Sequence, residues 1–223
     1  MTEKFQYSQR LAAEALGTGM LVATVVGSGI MAETLSKDVG IQLLGNTLPT
    51  GAILIVLITI FGPLSGAHFN PAVSAMFAAK GSLPRAELAG YVAAQIIGGI
   101  LGTVAAHLMF AMPIIEFSEK VRSGPAQWFA EAVATFGLVG VILSGLRFNT
   151  AAIPWLVGLY ITAAYWFTAS TSFANPAVTI ARALTNSFSG ISPWDVPEFV
   201  VAQLVGMAVG AFVFSWLLEP RKA

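Results

Sequence analysis

The sequence predicts an all-α membrane protein with six transmembrane helices and two re-entrant half-helices arranged as an inverted repeat. Three observations carry that prediction. Hydrophobic residues make up 56% of the chain and charged residues only 10%, against roughly 25% charged in an ordinary soluble domain. Six apolar stretches each approach the ~20 residues that a helix needs to cross a bilayer. Two shorter apolar stretches carry the same tripeptide, Asn-Pro-Ala, at Asn70 to Ala72 and at Asn175 to Ala177.

The spans run, in order, about Leu11 to Met31, Leu43 to Leu64, Glu87 to Met112, Gln127 to Leu146, Ile153 to Thr171 and Val196 to Leu218. Polar or Gly/Pro-marked turns separate them, as at Glu33 to Gly40, Lys80 to Pro84, Glu116 to Pro125 and Phe148 to Pro154. The first span is too long for a signal-peptide core and lacks a small-residue cleavage site, so it is expected to be retained. With no hydrophilic stretch of domain size, residues 1–223 read as one transmembrane domain.

Gly66 to Lys80 and Ser172 to Ser187 are too short to cross, and each is expected to dip in and return by the same side. Six crossings then put the N and C termini together. The termini side receives Lys4, Arg10, Lys80, Arg85, Arg147, Arg221 and Lys222, and the other side Lys37, Lys120, Arg122 and Arg182. The excess of basic residues predicts that the termini are cytoplasmic, in the inner membrane of a cell.

The chain also repeats itself. Leu11 to Thr18 is echoed by Trp128 to Thr135, with Glu14 matching Glu131; Phe69 to Ser74 is echoed by Ala174 to Thr179, and Ala94 to Gly98 by Ala202 to Gly206. The units are expected at about residues 8–115 and 126–218. Each holds three spans, an odd number, so the second must enter from the opposite face, as in inverted-repeat transport folds with a site at the midplane.

Asn is a leading N-cap and Pro is favoured at the first helical position, where its missing N–H would have no partner. Asn70-Pro71 and Asn175-Pro176 therefore read as two helix starts meeting in mid-membrane. Each presents free backbone N–H groups and a positive dipole end of roughly half a charge. An Asn whose oxygen caps its own helix leaves its amide NH2 to donate to a passing molecule. The plain alternative, a common turn starter, fits one such dipeptide better than a matched pair.

These motifs, His68-Phe-Asn-Pro-Ala-Val73 and Ser172-Phe-Ala-Asn-Pro-Ala-Val178 with the two Glu-bearing spans, resemble the aquaporin (major intrinsic protein) family from about Leu11 to Leu218. The resemblance implies an aquaporin fold, usually homotetrameric with one pore per protomer, that conducts water and small neutral solutes passively and excludes ions and protons. It implies that Glu14 and Glu131 accept hydrogen bonds from the re-entrant loops. Proton relay and a simple Arg10–Glu14 helix pair are the alternatives for these acids. His68 is read either as pore lining, by ring or carbonyl, or as packing alone.

The family's outer constriction, carried over by spacing, falls on Thr50, Ala163, Ser172 and Val178, with Tyr165 or Trp166 intruding if the fifth span is shifted. Water-selective relatives carry Phe, His and Arg at three of these places, and glycerol-conducting relatives carry aromatics with the Arg. Thr, Ala and Val here predict a wider opening without its fixed cation. The resemblance narrows to bacterial aquaglyceroporin-like relatives with Val in place of that Arg, some associated with uncharged arsenic species. Arg182, one helical turn beyond Val178, is expected either to reach back as an outer-vestibule cation or to snorkel outward or pair with loop carbonyls.

Eleven basic residues balance eleven acidic ones, which gives no case for nucleic acid, and the absence of cysteine removes thiolate metal sites and thiol redox chemistry. No cluster of catalytic type lies on one span, so no enzyme activity, cofactor or metal is expected. A coupled secondary transporter of a small neutral solute is the alternative function, because inverted repeats serve those folds too.

Overall fold

The structure is a computed structural model that describes residues 5–220. Among the described residues, eight α-helices and three short 3-10 turns account for the regular structure. The helices are α1 (Tyr7–Leu35), α2 (Val39–Ser65), α3 (Pro71–Ala79), α4 (Leu88–Met109), α5 (Pro125–Phe148), α6 (Ile153–Phe167), α7 (Pro176–Arg182) and α8 (Val196–Leu217). Six of them are long and apolar enough to cross a membrane, with α4, α6 and α8 taken together with the 3-10 turn that precedes each. Lys4, Arg221 and Lys222, which entered the charge comparison, lie outside the described residues.

The spans sit close to their expected positions, with two informative differences. The third ends at Met109, three residues before Met112, and the fifth ends at Phe167, four before Thr171. At both ends the chain turns early into a loop, and hydropathy does not mark that turn because the loop residues are themselves apolar or small.

Close helix crossings pair the first and last span of each half, α1 with α4 and α5 with α8. Backbone contact sets their geometry: a Cβ at Gly98 would collide with the Ala15 carbonyl, and one at Gly206 with the Ala132 carbonyl. Two glycines at matching places thus allow the same close approach twice. Side chains from α1, α2, α5 and α6 meet in one apolar core containing Val22, Val26, Leu57 and Val139.

The half-helices α3 and α7 start in the middle of this bundle and return to opposite ends. At the end of the bundle bearing the termini, Lys80 closes α3 and its Nζ donates to Ser215 Oγ on α8 at 2.8 Å. At the far end, α7 runs into a loop layer in which Glu116 and Ser118 amides donate to Leu184 and Ala183 carbonyls.

Candidate functional site

Both half-helices begin as their sequence requires. Asn70 Oδ1 accepts the Ala72 amide at 2.9 Å, and Asn175 Oδ1 accepts the Ala177 and Val178 amides at 3.0 and 3.3 Å. Proline occupies the first helical position in each. The amide NH2 groups differ from expectation, because neither is wholly free. Asn70 Nδ2 donates to the Ala174 carbonyl at 2.7 Å, and Asn175 Nδ2 to the Phe69 carbonyl at 2.8 Å. One proton of each amide thus ties the two loops together, and the second remains where both asparagines line the central cavity.

The loops leading into these caps carry the same strain. Ala67 and Phe69 have φ of 49°, and Ser172 and Ala174 have φ of 49° and 48°. Left-handed backbone at a non-glycine residue costs about 1–3 kcal/mol and persists only where surrounding bonds hold it. Those bonds come from the two buried acids. Glu14 accepts the Ser65 hydroxyl, the His68 and Phe69 amides and the Gln95 side chain, at 2.7, 3.0, 2.7 and 2.8 Å. Glu131 accepts the Phe173 and Ala174 amides and the Gln203 side chain, at 2.8, 2.9 and 2.6 Å. Neither acid lines the cavity, and Arg10 pairs with Glu87 at 2.8 Å, not with Glu14. Gln95 and Gln203, unassigned from sequence, brace each acid against the half-helix through Ser74 and Thr179; their place in the repeated Ala-Gln segment was the signal.

The cavity encloses ≈ 130 Å³ and has two unlike walls. Its apolar wall comes from helical stripes at every fourth position: Leu21 and Val25, Thr50, Leu54 and Ile58, Leu138, Ile142 and Leu146, and Ile153, Val157, Ile161 and Tyr165. The other wall is loop backbone, residues 66–70 and 172–175, together with Val73, Phe77, Val178 and Arg182 from the half-helices. Among the described residues the carbonyls of Ala67, His68, Ser172 and Phe173 accept no hydrogen bond. A solute there meets acceptors along the loops, two amide donors at the centre and hydrocarbon opposite.

Thr50, Ser172 and Val178 line this cavity as expected, and Ala163 does not. Ala163 is exposed on the bundle's perimeter. Its place two residues from both Ile161 and Tyr165 turns it about 200° away from their face. Tyr165 stands in its stead, its hydroxyl 3.4 Å from Thr50 Oγ1, while Trp166 is 53% exposed on the perimeter. Family spacing overshoots because α6 ends at Phe167 and a short loop follows. Of the two registers expected for the fifth span, Tyr165 on the cavity matches the shifted one, and Ala163 leaves the lining.

His68 lines the cavity with its ring stacked on Phe77, centroids 4.5 Å apart, and its Nδ1 is 3.0 Å from Ser74 Oγ. Arg182 is 1% exposed, so it does not snorkel outward. Its Nε donates to the Ser189 carbonyl, and its guanidinium lies 3.3 Å from the Phe173 ring centroid. Arg122 approaches the same ring at 5.0 Å and donates to the Gly190 carbonyl at 2.8 Å. In the loop layer, burial lowers the pKa of Lys120 and of Arg122 from their ordinary values. No group of metal-ligating side chains occurs among the described residues.

An intrinsic membrane bundle with a solute-sized central cavity between two capped half-helices is a transmembrane pore by architecture. The comparisons say which kind. The family model for Major intrinsic protein matches residues 1–151. The chain is 61% identical over 220 residues to "Aquaglyceroporin AqpS" of Rhizobium meliloti (strain 1021), covering 99% of this chain and 94% of that protein. It is 31% identical over 230 residues to "Aquaporin NIP1-1" of Zea mays, covering 100% of this chain and 79% of the relative. The X-ray structure of the aquaglyceroporin from Plasmodium falciparum shares the fold, with a TM-score of 0.74 at 22% identity over 96% of this chain and 98% of that one. The chain therefore belongs to the major intrinsic protein family. It is a passive membrane channel for water and small solutes and not an enzyme.

Proposed function

We propose that this chain is an aquaglyceroporin-type pore that passes water together with glycerol-like polyols and neutral metalloid acids such as arsenite, while excluding ions and protons. One observation carries the reading: Thr50, Ser172 and Val178, all small side chains, line the cavity, and the aromatic beside Thr50 is Tyr165, its hydroxyl 3.4 Å from Thr50 Oγ1. Thr50, Tyr165, Ser172 and Val178 form the constriction. Asn70 and Asn175 donate to the solute at the midplane, and Pro71, Ala72, Pro176 and Ala177 fix those donors in place. Glu14 and Glu131 hold the loops, and His68 lines the approach from the termini side.

The reading extends to the whole assembly. Residues 8–115 and 126–218 act as inverted repeat units, four copies of the chain associate with one pore in each, and both termini face the cytoplasm across the inner membrane. Acids that accept only structural donors and stay out of the cavity argue against the coupled-transporter alternative, which needs a titrating or ion-coordinating group in the solute's path. Stopped-flow shrinkage and reswelling of proteoliposomes with water, glycerol and arsenous acid tests the proposal. Non-saturating flux of all three is expected, and water-only flux would overturn it.

A further inference from the structure

Pairing Asn70 with Asn175 also pairs Val73 with Val178, His68 with Phe173 and Phe77 with Arg182, and these side chains line the cavity in both halves. At one end an imidazole stacks on a phenyl ring. At the other, a guanidinium lies against a phenyl ring at the matching place. The half-helix that lacks a cation at Val178 therefore delivers one from its next turn.

Three facts fix how Arg182 is held. Its Nε is spent on the Ser189 carbonyl, its planar face rests on Phe173, and its Nη1 has no partner among the described residues. Ser172, which lines the same cavity, likewise has its Oγ buried without a partner. Of the acids in and around the far loop layer, Glu33 accepts the Phe188 amide at 2.6 Å and Asp195 the Arg122 amide at 2.7 Å, and Glu116 and Glu119 form no salt bridge among the described residues. Glu131 is taken up by the Phe173 and Ala174 amides and Gln203. No carboxylate forms a salt bridge with Arg182 among the described residues.

Resting on the channel reading above, we propose that Arg182 is the specificity-determining cation of this pore. Its guanidinium, seated on Phe173, supplies the positive charge that Val178 omits. With the Ser172 hydroxyl it forms a polar subsite for the oxygen of a neutral solute. Separating charge from position 178 lets the opening widen without surrendering cation rejection, because a fixed charge acts through the low-dielectric wall over several ångströms.

The test measures water flux, glycerol flux, potassium leak and proton leak in the same proteoliposomes. Arg182→Gln and Arg182→Met are expected to raise both leaks at least about tenfold over the parent when each is normalised to the water flux of the same variant. Arg182→Lys is expected to retain exclusion, and Val178→Arg combined with Arg182→Gln to restore it. A parent without water or solute flux would sink the channel reading itself. Unaltered leaks in a folded, water-conducting Arg182→Gln or Arg182→Met would sink this proposal alone. If neither neutral variant folds while Arg182→Lys does, the charge serves the fold, and the selectivity role is likewise overturned.

Discussion

The two re-entrant loops have the same backbone and different chemistry. Ser65 and Ser170 are matching residues, yet the Ser65 hydroxyl reaches Glu14 and the Ser170 hydroxyl only accepts the Ser172 amide. The Ser65 carbonyl accepts the Tyr91 phenol at 2.9 Å, while the Ser170 carbonyl lies 3.4 Å from the Arg122 guanidinium. A neutral donor at one end of the molecule is replaced by a cation at the other. Inverted symmetry therefore fixes the path of the chain and the central donors, and leaves the two mouths free to diverge in charge.

That asymmetry is open to attack, and the largest expected effect is on the buried acids. Each backbone donor left unpaired in the bundle costs about 1–3 kcal/mol, and an amide in place of the carboxylate turns its own N–H toward such donors. Glu14→Gln and Glu131→Gln should both lower the thermal midpoint in detergent, read by tryptophan fluorescence. Glu14→Gln should lower it further, since Glu14 holds four donors and Glu131 three. Equal losses would erase the distinction between the loops.

A smaller effect, on flux and not on folding, is expected from Val178→Arg. Placing a second guanidinium beside Arg182 narrows the far mouth only, so glycerol and arsenous acid flux should fall at least about tenfold and water flux less. An equal fall in all three, with a lowered midpoint, would mean that the variant disturbs the bundle.

The smallest effect concerns Lys120, which donates to the Phe188 carbonyl at 2.9 Å in the far loop layer. Burial holds its folded pKa below the usual 10.5, with Arg122 adding to the depression. The folded state thus disfavours the protonated form, so its contribution to stability is poorest at neutral pH and improves as pH rises through the folded pKa toward 10.5. The midpoint of Lys120→Met should accordingly gain less than that of the parent between pH 8 and 10.5, a difference sharply reduced by solvent screening. A parent and variant that move in parallel would show that Lys120 carries none of this dependence.

Much of this was legible in the sequence because it rests on local rules. Asn-Pro at a helix start has one common structural solution, and the structure uses it twice, while the loop-holding role of Glu14 and Glu131 was implied by the family resemblance and matches their hydrogen bonds. The register of α6 was not legible, because the spacing from Asn175 back to the constriction depends on where an apolar helix stops, and nothing between Tyr165 and Ser172 marks that point. For Arg182, pairing with a loop carbonyl was among the expected alternatives, but which carbonyl, and the stacking on Phe173, were not legible. Its seat depends on Phe173 and on a carbonyl seven residues ahead, at Ser189, contacts that only tertiary folding creates.

The two hydrogen bonds that the asparagine amides donate between loops join residues 104 and 106 positions apart in the chain. Each cap leans on a carbonyl from the other half, so neither half builds a finished wall alone. During synthesis the first loop emerges long before its counterpart exists. Asn70 therefore has no Ala174 carbonyl to bond until the second half has been made, and the centre of the conduit is a joint product of both halves.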